Sequence, residues 1–244
     1  MASRIPVLLA WSGGKDAAWT LHMLRQSATH AVVGLLTTVS DGRASLQGVR
    51  VEVLRAQASA AGLPLMEVPI PPKCDNATYG AAMAAALDEA GQRWPELRTM
   101  AFGDLFLEDI RAWRQQQLES YGWNLVTPLF RFDTALLARR MLDSGLRAHV
   151  CCVDTQQLDA RFAGRPFNLA LLEELPPGVD PCGENGEYHT CVWDGPMFAA
   201  PIRLAHAGDS LEAGRFARTD FALGGVKARK KKRGQSAISL PVHR

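Results

Sequence analysis

Ser12, Gly13, Gly14, Lys15 and Asp16 stand together where an apolar run, residues 5–11, gives way to an amphipathic one. The amides that open a helix have no partner within it and carry the positive end of its dipole, so such a junction can hold an anion. Two glycines let the anion come close, Lys15 adds a full charge, and Ser12 adds a hydroxyl donor. Asp16 would repel a bare phosphate, and it fits if a hard cation such as Mg²⁺ lies between the two. The common P-loop is excluded because Leu9 stands where its first glycine falls. The dinucleotide fingerprint is excluded because no two glycines are spaced two apart. A plain glycine-rich strand-to-helix turn is the other reading, less favoured because a lysine and an aspartate follow, and the chemistry on offer is the holding of a phosphate-like anion.

Two further groups of residues can do chemistry. Gly103 and Asp104 end the stretch LRTMAFGD, and a carboxylate there can hold a metal, orient a nucleophile or cap the next helix. Glu108 and Asp109 suit the first turn of that helix. The segment DPCGENGEYHTCVWDGP, residues 180–196, brings Glu184, Glu187 and His189 together after glycines that let the chain turn. If 187–193 is extended, Glu187, His189, Cys191 and Trp193 share one face, with Tyr188, Thr190 and Val192 on the other. The cluster reads as a functional polar site, as a set of transition-metal ligands, or as a solvated loop with a satisfied histidine.

The elements that must position these residues follow from periodicity. Residues 5–11, 30–39, 63–70, 97–104 and 147–154 read as strands. Between them, 17–24, 49–62, 78–91, 108–122 and 133–145 read as helices, and 123–130 as extended chain. This alternation predicts an α/β fold with a Rossmann-like parallel sheet, helices on both faces, and ligands beyond the carboxyl ends of the strands. Residues 1–155 form the expected nucleotide-binding domain and 156–206, rich in Gly and Pro, a smaller substrate-binding region. Residues 207–244 lose apolar density and read as a basic, flexible tail.

Composition narrows the partners. The chain has 244 residues, 47% of them hydrophobic, and a net charge of +2. Part of that excess lies in KARKKKR at 227–233, so the body offers no general nucleic-acid or membrane surface. Nucleic acid is not an expected partner: the basic run reads as a solvated tail rather than an RNA contact, because no aromatics interleave for base stacking. The five cysteines include no C-x-x-C, which argues against a disulfide framework and a zinc knuckle and suits a reducing cytoplasm. Cys151 and Cys152, and likewise Trp113 and Trp123, read as packing residues. No apolar run reaches the roughly 20 residues a membrane helix needs.

SGGKDA resembles the S-G-G-x-D-S pyrophosphate loop of the N-type ATP pyrophosphatases, which have an adenine nucleotide α-hydrolase-like fold; Ala17 replaces the final serine. GENGEYHT resembles the G-E-x-G-E-[FY]-H-T element of the diphthine-ammonia ligase branch. GDLFLEDIR, PLF at 128–130 and FAGRPFN at 162–168 resemble the segments that precede it there, with PLF for the more usual PLW. The resemblance spans residues 5–200. It implies ATP and Mg²⁺ as cofactors, a carboxylate acceptor that is protein-borne diphthine or a small metabolite, ammonia as second substrate, and is compatible with a homodimer. Ser12, Gly13, Gly14, Lys15, Asp16 and Gly103 would bind the nucleotide, with Mg²⁺ on Asp16 and Asp104. Glu184, Gly186, Glu187, His189 and Thr190 would hold acceptor or ammonium. Lys15, Asp16, Asp104, Glu187 and His189 would be catalytic. A nucleotide sensor of the same fold and a metal hydrolase are the alternatives.

Overall fold

The computed structural model describes residues 3–45 and 47–225; the basic run at 227–233, and the question of RNA contact with it, lie outside them. The chain opens with β1 (Ile5–Ala10), α1 (Lys15–Arg25), β2 (His30–Ser40), β3 (Arg43–Ala44), α2 (Val51–Ala61) and β4 (Leu65–Pro69). There follow α3 (Asn76–Arg93), β5 (Thr99–Ala101), α4 (Glu108–Ser120), β6 (Asn124–Val126) and α5 (Thr134–Asp143). The remainder comprises β7 (Arg147–Asp154), β8 (Pro166–Phe167), α6 (Leu169–Glu174), β9 (Tyr188–Asp194), β10 (Leu204–Glu212) and β11 (Phe216–Leu223).

The apolar run that opens the chain forms the centre of the first sheet. Val7, Leu8 and Leu9 are all fully buried, and the alternation of a strand sends Val7 and Leu9 into one core and Leu8 into another. Helices α1, α2 and α5 supply the first core and α3 with α4 the second. The parallel strands run in the order β4-β2-β1-β5-β6, and β3 returns antiparallel on the end of β2. Capping aspartates start two of the helices: Asp75 accepts from Thr78 N at 2.7 Å and Asp133 from Leu136 N at 2.9 Å, each worth about 1 kcal/mol. From β1 the chain winds outward through β2 to β4, then comes back to β5 on the other side of β1. Strand order therefore reverses between β1 and β5, and the crevice beyond their carboxyl ends is the natural ligand site. The α/β fold expected from the alternation is the fold found.

Three expectations need correction. β7 does not close the first sheet. It is the centre of a second, antiparallel sheet, paired with β9, β11 and β8, so the second unit begins before residue 155. A run buried on both faces announces an interior strand but not which sheet owns it. The segment from 207 is likewise no loose tail through residue 223, because β10 and β11 pair as a hairpin that continues this sheet. Ala217, Thr219 and Phe221 point inward at alternate positions while β10 stays largely exposed, and a ribbon covered on one side needs few apolar residues. Asp220 of β11 accepts from Arg43 at 2.8 Å and from Arg50, which ties the hairpin to the first unit. Finally, Trp113 is 41% exposed on α4, whereas Trp123, Cys151 and Cys152 are buried as expected.

Candidate functional site

A cleft of about 790 Å³ occupies the crevice beyond β1 and β5. Ser12, Gly14, Lys15 and Asp16 line one wall, Gly103 and Asp104 a second, and Glu184, Gly186, His189 and Thr190 a third. Tyr79, Met83, Met100 and Phe102 give it an apolar floor. The sequence-predicted groups converge, with two exceptions. Gly13 lies behind the loop rather than in the lining, and Glu187 does not reach the cleft.

The loop is shaped by its surroundings. Gly13 has φ +80°, and a Cβ there would lie 2.7 Å from Leu54 Cδ2, so only glycine fits. Gly14 opens α1 without a side-chain cap. In place of a cap, Thr190 of β9 accepts from the Lys15 amide at 3.0 Å, and Val192 N donates to Gly13 O at 3.0 Å. β9 therefore runs along the back of the loop, and Thr190 acts by positioning it. Gly103 packs against the first turn of α1, where a Cβ would meet the Asp16 carbonyl carbon at 2.9 Å; its contribution is close approach of β5 to the helix.

Lys15 is 2% exposed. Its ammonium donates to Asp16 Oδ2 at 2.8 Å and to the Cys182 carbonyl, and lies 5.6 Å from the centre of the Tyr188 ring. Burial pulls its pKa down, but Asp16 and the other negative neighbours outweigh that and leave it above the ordinary lysine value. Lys15 is thus a fixed cation at the start of α1. Among the described residues Asp16 Oδ1 is buried without a partner, and so is Asp104 Oδ2, while Asp104 Oδ1 takes a hydrogen bond from Arg114. Orphaned buried carboxylate oxygens are costly unless something binds them, and hard oxygens of this kind suit Mg²⁺.

Glu184 accepts from Leu105 N at 2.9 Å. Burial pushes its carboxyl up to about 7, with the Leu105 bond pulling the other way. His189 is driven down to about 4 by burial, with Lys15 and Arg218 adding to the effect, so its imidazole is neutral at neutral pH. Glu187 is 2% exposed and sits outside β9. It accepts from Asp180 N at 2.9 Å, Asn185 N at 2.9 Å and Asn185 Nδ2 at 3.0 Å. That corrects its expected role: Glu187 braces the 180–187 turn and shares no face with His189. Among the described residues no three His, Cys, Asp or Glu side chains are arranged to hold a metal, so the transition-metal triad of Glu184, Glu187 and His189 does not form.

Sequence reasoning missed four contributors. Gln57 of α2 is fully buried and bonds both the loop and β9. Asp180 braces the same turn as Glu187 by accepting from Cys182 N at 2.8 Å. Tyr188 packs its ring against Lys15. Arg114 stacks 4.2 Å over Phe102. Only Asp180 carried a visible signal, as an acidic residue before the two-glycine turn.

Residues 5–123 match the diphthamide synthase N-terminal domain, and residues 133–218 match the diphthamide synthase C-terminal domain. No curated protein matches the chain. Among solved structures it is similar to the U34-tRNA thiolase NcsA from Methanococcus maripaludis with its 4Fe-4S cluster, at 16% identity and a TM-score of 0.38, over 58% of this chain and 58% of that one. No helix among the described residues is long and apolar enough to cross a membrane. Both domains match in chain order, each contributing lining residues to the cleft, and the chain belongs to the diphthamide synthase family.

Proposed function

We propose that the cleft binds ATP and forms an amide by way of an acyl-adenylate. The phosphates rest on the Gly14 amide, on Ser12 and on the Lys15 ammonium, with the base over Met83, Met100 and Phe102. A carboxylate oxygen of the acceptor attacks the α-phosphorus, the bond from that phosphorus to the bridging oxygen breaks, and pyrophosphate departs. Ammonia then attacks the acyl carbon, AMP leaves, and one proton is given up. Glu184, with its carboxyl near neutrality, is placed to take that proton, a role worth about 10²–10⁴ in rate. Neutral His189 can hydrogen-bond the acceptor without repelling ammonium. Asp16 and Asp104, through their unpartnered oxygens, would hold Mg²⁺, which screens phosphate charge. The acceptor is protein-borne diphthine or a small metabolite acid.

The observation that carries the reading is the buried, charged Lys15 at a glycine-led helix start on the switch point of the sheet. Charge grows on departing pyrophosphate, and fixed donors act best there. The test is release of AMP and pyrophosphate from ATP with Mg²⁺, ammonium and a panel of carboxylic acids. Lys15→Met should lower turnover at least about 100-fold, and ADP as the product would overturn the reading. A nucleotide sensor is the second reading, favoured by Ala17, which lines the cleft where the related loop has serine. Binding of ATP without turnover for any acid would support it.

A further inference from the structure

We propose that Gln57 is a positioning residue that locks the phosphate loop against a peptide flip; this rests on the reading that the loop receives pyrophosphate. The Gln57 side chain lies between three elements. Its Oε1 accepts from Trp11 Nε1 at 3.0 Å, and its Nε2 donates to Gly13 O at 3.0 Å and to Val192 O at 2.7 Å. The indole N–H can only donate, so it fixes which end of the amide faces which way. The two donors of Nε2 are then left for the two carbonyls.

Gly13 O receives a second bond, from Val192 N at 3.0 Å. A trans peptide is planar and its C=O and N–H point in opposite directions. Holding the Gly13 carbonyl against α2 and β9 therefore turns the Gly14 N–H toward the cleft side, where Ser12 Oγ lies 3.3 Å away. Rotation of this unit is easy in a glycine pair, because neither residue has a Cβ to block it. The flipped unit would aim a carbonyl oxygen at the phosphates in place of a donor. Gln57 removes that alternative, and with 0% exposure it has no water to turn to if the bonds break.

The experiment measures binding of pyrophosphate and of α,β-methylene-ATP by calorimetry, together with thermal stability. Gln57→Met keeps the length of the side chain and removes the donors, and should weaken pyrophosphate binding roughly 10- to 100-fold. Gln57→Glu keeps an acceptor for Trp11 but turns an oxygen on the two carbonyls. Its affinity, as a ratio to wild type at each pH, should be lowest at pH 8 and recover toward pH 5, as the buried carboxyl takes up a proton and can donate. Leu97→Ala, in the other core, is the control for destabilisation alone. If Gln57→Met loses stability like Leu97→Ala yet binds pyrophosphate within twofold of wild type, Gln57 is a packing residue and the proposal fails. Should the Met variant not fold, a Glu variant with no pH-dependent recovery overturns it equally. Wild-type protein that binds neither probe refutes the pyrophosphate reading itself, and this inference with it.

Discussion

Replacing Glu187 by alanine separates bracing from chemistry. The carboxylate takes three hydrogen bonds, from Asp180 N, Asn185 N and Asn185 Nδ2 at 2.9 to 3.0 Å, and is 2% exposed. The Asn185 side chain can find other partners, but the two backbone donors lose theirs. Each stranded donor costs about 1–3 kcal/mol, while relief from burying a charge returns part of that. A net loss of about 3–4 kcal/mol follows, which for a chain of this size lowers Tm by roughly 6–16 °C. Glu187→Gln keeps one accepting oxygen and should lose about 1–2 kcal/mol. Urea denaturation gives both numbers, and pyrophosphate titration run in parallel shows whether the 180–187 turn still supports Lys15 through the Cys182 carbonyl. A Glu187→Ala protein within about 1 kcal/mol of wild type that binds nucleotide normally but does not turn over would refute the bracing role and restore Glu187 to the chemistry.

Two other perturbations test different parts of the site. Gly13→Ala and Gly186→Ala both place a side chain at positive φ, +80° and +83°, but only the first meets neighbours, Leu54 at 2.7 Å and Gln57 at 2.9 Å. Gly186→Ala should cost about 1–2 kcal/mol and Gly13→Ala about 2–4 kcal/mol with loss of pyrophosphate binding; equal costs by denaturation would contradict the packing around the loop. The folded-state pKa of Glu184 is raised from 4.5 to about 7, so its contribution favours folding below pH 4.5 and is lost as pH rises through 7. The stability difference between wild type and Glu184→Gln should therefore shift between those values and level off above them, while amide formation gains from the ionised base above pH 7. A difference that does not change with pH would show that Glu184 titrates normally.

How much of this was legible in the chain depends on how local each feature is. The turn at residues 12–16 was readable as the join of β1 to α1 because a strand end, two glycines and a helix start all fall within residues 10–16. The parallel sheet was readable because apolar period and length mark strands and helices one at a time. Glu187 was misread because a carboxylate becomes a base or a brace according to which N–H groups face it, and Asp180 and Asn185 do so only once the turn closes. β7 was misassigned because a buried strand's sequence does not name its neighbour, and the β10–β11 hairpin because a ribbon covered on one side needs few apolar residues.

By itself, then, the sequence determined that residues 12–16 join a buried first strand to the first helix of an α/β sheet. Only the tertiary structure decided that β9 runs behind that loop, that Gln57 bonds it from α2, and that Glu184 rather than Glu187 faces the cleft. The physical reason is range. Helix dipoles and strand alternation act over a few residues, whereas the bonds that orient the Gly13 carbonyl span 44 residues to Gln57 and that of the Lys15 amide spans 175 to Thr190, distances over which no periodicity carries information.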